Sequence, residues 1–329
     1  VTEADDRRVL VTGAAGFIGS HLCERLVGDG WSVVGLDDLS AGRRENLAAL
    51  NDTDGFELVV GDACEEDVVR PLVERVDAVV HLAAVVGVRL TMDEPLRVID
   101  NNIRSTHRVL DACDRYGRRV IIASSSEVYG RNRDVPLDET SDCVMGPPQR
   151  SRWSYATAKA LDEHYAQAYH ARHGLEVMTV RFFNTIGPRQ TGEYGMVVPT
   201  FVEQALRREE MTVYGDGSQS RCFCDVRDVT RALAALLESD GGAGEVYNIG
   251  ATREITILEL ARLVHSTVRP DADDAPIRLV PYEEAYGDTY EDIPRRVPGI
   301  DRVRDAIGWQ PEIALEETIR SIAEARGGG

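Results

Sequence analysis

Along the first half of the chain, apolar residues come in short unbroken runs, separated by stretches in which they recur at every third or fourth position. The runs are Arg8-Val9-Leu10-Val11-Thr12, Ser32-Val33-Val34-Gly35-Leu36, Glu57-Leu58-Val59-Val60, Ala78-Val79-Val80-His81-Leu82-Ala83-Ala84 and Arg119-Val120-Ile121-Ile122-Ala123. Strands buried on both faces read this way, and helical stretches such as the one through Leu22 and Leu26 supply the crossovers. The pattern predicts an α/β protein with a Rossmann-type doubly wound parallel sheet. Beyond residue 180 the units are shorter. A helix opens at Val197-Val198-Pro199, a strand at Thr212-Val213-Tyr214 turns at Gly215-Asp216-Gly217, and Asp225-Val226-Arg227 leads into a helix. A strand from Glu245 to Gly250, a helix beginning within Ile255 to Leu260 and a last helix after Gly308-Trp309-Gln310-Pro311 follow. The expected division is 1–180 for the sheet domain and 181–329 mainly for a smaller α/β domain, the two interleaving after 180. Pro136 to Arg152 reads as a surface loop, and Cys222-x-Cys224 as two side chains on one face of a strand.

With 329 residues and 43% hydrophobic content, the chain can bury two such cores. Its net charge of −19 argues against nucleic acid or an anionic membrane as partner, and it gives weight to any arginine aimed at a ligand. Six scattered cysteines without zinc spacing read as reduced thiols. No metal site is expected. No signal segment or membrane-length apolar run is visible, so a soluble cytoplasmic protein is expected.

Candidate chemistry starts where the first strand runs into Gly13-Ala14-Ala15-Gly16-Phe17-Ile18-Gly19. Strand, glycine turn and helix in that order suit a pyrophosphate: Gly13 for the turn, Gly16 for close approach, Gly19 for helix packing. The second strand ends in Asp37, placed for an adenosine ribose, and its charge would repel a 2′-phosphate, which favours NAD over NADP. Asp62, at the next strand end, could meet the adenine amine. Phe17, Ile18, Leu82, Ala83 and Ser124 complete the expected cofactor wall. His81 reads as a packed, hydrogen-bonded histidine. Of the 37 Lys and Arg residues only Lys159 is lysine, and it stands four after Tyr155, on the same helical face. A cation beside a phenol favours the phenolate. Ser124-Ser125-Ser126-Glu127 leaves a strand some thirty positions earlier, and a Ser/Tyr/Lys set can handle one proton on a sugar hydroxyl.

Together, the glycine turn, Ser125-Ser126-Glu127-Val128-Tyr129-Gly130, Tyr155-x-x-x-Lys159 and Arg181-Phe182-Phe183-Asn184-x-x-Gly187-Pro188-Arg189 resemble the extended short-chain dehydrogenase/reductases, the NAD-dependent epimerase/dehydratase family, acting on nucleotide sugars. The resemblance spans nearly the whole chain. It implies tightly held NAD, a Rossmann domain, a smaller C-terminal domain for a UDP-sugar and a homodimer through a four-helix bundle. It implies that Ser125 and Tyr155 address the sugar 4-hydroxyl, Lys159 holds the nicotinamide ribose and Asn184 reaches the diphosphate. Val198 and Tyr214 fall at its nucleotide-binding edge, and Arg189, Arg221 and Arg296 at positions for diphosphate or ribose.

Family members share oxidation at C4 and differ afterwards. The chain most resembles UDP-glucuronate decarboxylases, through Ser-Glu-Val-Tyr-Gly, Arg152-Trp153 and Arg221-Cys222-Phe223. This implies UDP-xylose or a 4-keto-pentose as product, with Ser126, Glu127 and Arg221 in the chemistry. Gly192 to Met196 and Pro298-Gly299 depart from the xylose-synthase pattern, which keeps a UDP-glucuronate or UDP-hexose 4-epimerase open, and a nucleotide-sugar 4,6-dehydratase after it. A non-catalytic NAD sensor or a scaffold would have no need to retain Tyr155 and Lys159.

Overall fold

The apolar runs of the first half lie side by side in one parallel sheet. The computed structural model describes residues 7–192, 196–272, 274–282, 284 and 293–327. Residues 193–195 of the departing segment, and the tail glycines 328 and 329, lie outside it. In chain order the first elements are β1 (Arg8–Thr12), α1 (Phe17–Gly28), β2 (Ser32–Asp37), β3 (Phe56–Val60), α2 (Glu66–Glu74) and β4 (Ala78–His81). Next come α3 (Val88–Asp93), α4 (Pro95–Tyr116), β5 (Arg119–Ser125), α5 (Ser154–His173), β6 (Val177–Phe182) and β7 (Thr185–Ile186). Then follow α6 (Val197–Leu206), β8 (Met211–Tyr214), β9 (Ser220–Cys222), β10 (Cys224–Asp225), α7 (Val226–Glu238) and β11 (Val246–Ile249). Last are β12 (Glu254–Thr256), α8 (Ile257–Val268), β13 (Ile277–Val280), β14 (Arg295–Arg296) and two closing helices, Asp301–Ile307 and Leu315–Gly327.

The main sheet has seven strands in the order β11-β6-β5-β4-β1-β2-β3, and every pairing is parallel. One face packs on α1 and α7 through Leu22, Leu26, Leu233 and Leu236. The other packs on α2, α4 and α5 through Val69, Val109, Leu110 and Ala166. Chain order therefore turns around between β1 and β4, so their carboxyl ends open a crevice where ligands of such sheets bind. A further core joins α6, α8 and the last helix around Phe201, Leu260 and Ile319.

Several sequence expectations shift in detail. The strand starting at Ala78 ends at His81 rather than Ala84, because the Thr12 hydroxyl takes the Leu82 and Ala83 N–H groups at 3.2 and 3.1 Å. Cys222 and Cys224 do not share a strand: β9 pairs antiparallel with β12, whereas β10 pairs parallel with β7. The chain changes sheets at Phe223, and both thiols are buried and unpaired. The helix foreseen within Ile255 to Leu260 starts at Ile257, where Thr256 and Glu259 form a reciprocal capping box. The boundary near 180 is crossed by β11, which returns to the edge of the first sheet beside β6.

Candidate active site

The turn after β1 is shaped by two glycines that admit no side chain. Gly13 adopts φ +71°, and a Cβ there would lie 2.9 Å from the Ala83 nitrogen. A Cβ on Gly19 would lie 2.0 Å from the Gly13 carbonyl oxygen, so α1 can approach the turn only with glycine at this position. Gly16 stands at the N-cap of α1 without a side-chain cap, leaving the first-turn N–H groups, with Phe17 and Ile18 beside them, to face an anion. Asp37 is buried at the end of β2, where it accepts from Ala15 N at 2.9 Å and from Leu39 N at 2.8 Å. Each carboxylate oxygen keeps a further acceptor site for a ribose hydroxyl. This cradle fits a dinucleotide with an unphosphorylated ribose. Asp62 caps its own turn by accepting from Cys64 N at 2.8 Å. Leu82 and Ala83 border the crevice opposite Gly13. The Ser124 hydroxyl is turned away from the crevice side chains: it is buried and donates to Glu163, which also holds Arg181 through 2.9 and 2.7 Å bonds.

Beyond β5 a single 3-10 turn, Ser126–Tyr129, sets Ser125, Ser126 and Glu127 against the start of α5. The Ser125 hydroxyl accepts from Glu127 N at 3.2 Å and faces the Tyr155 phenol, whose pKa it helps to lower. Lys159 is buried, donating to the Ala123 carbonyl at 3.0 Å and to Asp162 at 3.1 Å. The sequence led us to expect that Lys159 would favour the phenolate. Its charge does pull the Tyr155 pKa down, but burial and the charges of Glu127 and Asp162 outweigh it, so the phenol sits above its ordinary value.

Glu127 is clamped by two arginines. Arg152 Nη1 reaches one carboxylate oxygen at 2.7 Å and Arg296 Nη2 the other at 2.8 Å, while Arg296 Nη1 donates to the Ser126 hydroxyl at 3.1 Å. Burial alone would raise the Glu127 pKa, but the two guanidiniums hold it well below the usual carboxylate range. Arg296 sits in β14 directly across from Arg221 in β9, and burial together with repulsion from Arg221 and Arg152 lowers its own pKa against the opposing pull of Glu127. Two guanidiniums thus share the Glu127 carboxylate, and Arg221 stands across the strand pair from one of them.

Other expected substrate residues are placed elsewhere. Arg189 is turned onto α1, where it pairs with Glu24 at 2.6 Å and donates to Ser20 at 3.1 Å, away from the Arg221–Arg296 group. The Val198 side chain is fully buried in the core that α6 shares with α8. Asn184, at φ +34°, donates to the Cys222 carbonyl at 2.9 Å and so ties the end of β9 to the loop after β6. Tyr214 ends β8, about one-third exposed, beside the Gly215 turn. Arg152, which entered the sequence reading only as part of a motif, emerges as the nearest partner of Glu127. Its position two residues before α5 was the available signal. Glu163 and Arg181 also gain a role, since their buried pair fixes Ser124 just before the Ser126–Tyr129 turn.

Comparison with known proteins agrees with this geometry. The model of the NAD dependent epimerase/dehydratase family matches residues 9–250. The chain is 36% identical to a UDP-N-acetyl-alpha-D-glucosaminuronate decarboxylase of Bacillus cytotoxicus over 97% of both chains. It is 37% identical to UDP-glucuronic acid decarboxylase 1 of Arabidopsis thaliana, over 97% of this chain and 70% of that one. The structure superposes with a TM-score of 0.85 on a UDP-glucuronic acid 4-epimerase from Bacillus cereus in complex with UDP-glucuronic acid and NAD, at 26% identity and covering 98% and 99% of the two chains. With its glycine cradle, its Tyr155–Lys159 pair and a match over most of its length, the chain belongs to the NAD-dependent epimerase/dehydratase family.

Proposed function

We propose that the protein decarboxylates a UDP-hexuronate, UDP-glucuronate first among them, after NAD-dependent oxidation at C4, giving UDP-xylose or its 4-keto precursor. The observation that carries this reading is the cluster of Arg152, Arg296 and Arg221 around Glu127, beside Tyr155 and Ser125. Guanidiniums gathered beside Tyr155 suit a substrate that brings a carboxylate. Bound NAD supplies the hydride acceptor at C4. Tyr155 takes the 4-hydroxyl proton, with Ser125 hydrogen-bonded to the same oxygen and Lys159 beneath. The C6 carboxylate then belongs to a β-keto acid. When CO2 leaves, its bonding electrons pass through C5 to the C4 oxygen, where Tyr155 and Ser125 stabilise the enolate by hydrogen bonds. Arg221 orients the carboxylate, and Glu127, kept ionised by its clamp, favours departure of a neighbouring negative charge.

The nucleotide moiety is assigned to residues 181–329, with Tyr214 and Asn184 at its edge, and the dinucleotide to residues 1–180. We further assign the protein to a homodimer formed through α4 and α5, a reading supported by exposed Leu96 and Leu161 on those helices. The six unpaired thiols support a reducing, cytoplasmic setting. Among the described residues no helix is long and apolar enough to cross a membrane.

The test is to incubate the NAD-loaded protein with UDP-glucuronate and, separately, with UDP-N-acetylglucosaminuronate, and to measure released CO2 and the product sugar. CO2 with a UDP-pentose, or its acetamido counterpart, supports the proposal. Formation of UDP-galacturonate without CO2 would replace it with 4-epimerisation, the reading that the Bacillus cereus structure favours. Tyr155→Phe should abolish either reaction while NAD stays bound.

A further inference from the structure

A fully buried carboxylate stands behind the Tyr155–Lys159 pair. Asp162 has no exposure, lies three residues after Lys159 in α5, and receives its ammonium at 3.1 Å. An ammonium has three N–H donors. Asp162 and the Ala123 carbonyl take two, leaving one for the phenol or for a bound ribose. The other Asp162 oxygen, Oδ1, is buried without a close hydrogen-bond partner, and the Thr106 hydroxyl of α4 is the donor facing the carboxylate.

Behind Thr106 a polar chain runs to the glycine turn, and its hydrogen-bond direction follows from donor counting. The Thr12 oxygen already accepts from Leu82 N and Ala83 N, so its own proton goes to His81 Nδ1 at 2.7 Å. A neutral imidazole then carries its proton on Nε2, which donates to Thr106 Oγ1 at 3.3 Å. Burial, with the Lys159 charge, pushes the His81 pKa down to about 3, so the ring stays neutral. Thr106 is left with its hydroxyl proton to offer Asp162. Thr12, His81, Thr106, Asp162 and Lys159 are all buried, and the chain holds one cation and one anion.

We propose that Asp162 is a positioning residue for the Tyr155–Lys159 pair: it fixes the aim of the Lys159 ammonium and offsets its charge, and so sets the pH at which Tyr155 gains and loses its proton. Tyr155 feels Lys159 and Asp162 from α5 and Glu127 from the turn after β5. Lys159 feels Asp162, Tyr155 and Glu163 from α5, and His81 of β4 feels Lys159. Glu127 is held by Arg152 and Arg296, whereas the cation that Asp162 meets is Lys159 itself, so its charge acts from within the pair.

The inference rests on Tyr155 being the proton-transfer group of the proposed reaction, but its test reads the phenol directly and needs no sugar substrate. In NAD-loaded protein, the ultraviolet absorbance of the phenolate is titrated with pH, and Tyr155→Phe provides the subtraction that isolates one of 11 tyrosines. Asp162→Asn keeps the shape and removes the charge. It should lower the Tyr155 titration midpoint by about one pH unit, and a midpoint that stays in place or rises would overturn the proposal. If Asp162→Asn does not fold, Asp162→Ser decides: it removes the same charge and leaves a hydroxyl to accept from Lys159, so the midpoint should fall in the same direction, and an unmoved midpoint would overturn the proposal. A failure of the sugar assay with an intact shift would count against the substrate assignment alone.

Discussion

Replacing Glu127 with Gln takes one carboxylate from between two guanidiniums that have little access to water. The arginine side chains are each 6% exposed and sit 2.7 and 2.8 Å from Glu127. Removing one partner of a buried ion pair costs about 3–5 kcal/mol, because the charge left behind is kept from water without its counter-charge. The amide oxygen still accepts a hydrogen bond from one arginine, which favours the lower end of that range. An unfolding entropy of about 2.1 cal/mol/K per residue, applied to 329 residues, converts the loss into a fall in Tm of roughly 4–7 °C. The effect depends on pH with a definite sign. Glu127 is held well below the ordinary carboxylate range in the folded protein, so its stabilisation is complete above the unfolded value of about 4.3 and is lost as pH falls toward the folded value. Melts of Glu127→Gln and wild type should therefore differ fully at neutral pH and converge on acidification below about pH 4. Adding Arg296→Met to Glu127→Gln should recover part of the loss, since the orphaned cation goes with it. Equal melting temperatures at neutral pH, or a double variant no better than the single one, would refute the clamp.

Other expectations follow from geometry already described. Gly19→Ala places a methyl 2.0 Å from the Gly13 carbonyl and should weaken NAD binding by roughly 100-fold, about 2.8 kcal/mol, in calorimetric titration; unchanged affinity would show that α1 can back away from the turn. Asn248 is buried, accepts from Tyr129 at 2.7 Å and donates to the Leu137 and Gly299 carbonyls at 2.9 and 3.1 Å. Asn248→Leu takes the partner from the Tyr129 hydroxyl and the Gly299 carbonyl, while the Leu137 carbonyl keeps the Gly299 N–H at 2.7 Å, and should cost about 2–3 kcal/mol in urea unfolding.

Much of the first sheet was legible because its signals are local. A strand buried on both faces must be apolar throughout, a pyrophosphate turn needs its glycines at fixed offsets, and Tyr155 and Lys159 share a helical face four residues apart. The clamp was not legible. Arg296 lies 170 positions from Ser126, and β14, which delivers it, is only two residues long. No periodicity marks so short a strand; its position comes from pairing with β9. Arg189 illustrates the converse: a motif arginine whose charge is used by Glu24 on α1. Val198 was ambiguous because an apolar residue at a motif position reads the same whether it lines a pocket or fills a core, and its side chain is in the core. Asp162 could have been noticed three places after the lone lysine, but acids at that helical spacing are common salt-bridge partners on exposed faces. Only burial distinguishes this one.

The return of β11 to the first sheet has a consequence for how the polypeptide is made. Residues 246–249 cover the outer edge of β6 from Thr179 to Phe182, and Asn248 pins the loop at Leu137 to the segment at Gly299. During synthesis the first half of the chain leaves the ribosome with that edge open, and it stays open until residues through 249 have been made. An open strand edge recruits whatever strand is nearby. Fragments ending near residue 180 should therefore aggregate although they carry the whole glycine cradle. A soluble minimal dinucleotide-binding piece must extend through β11.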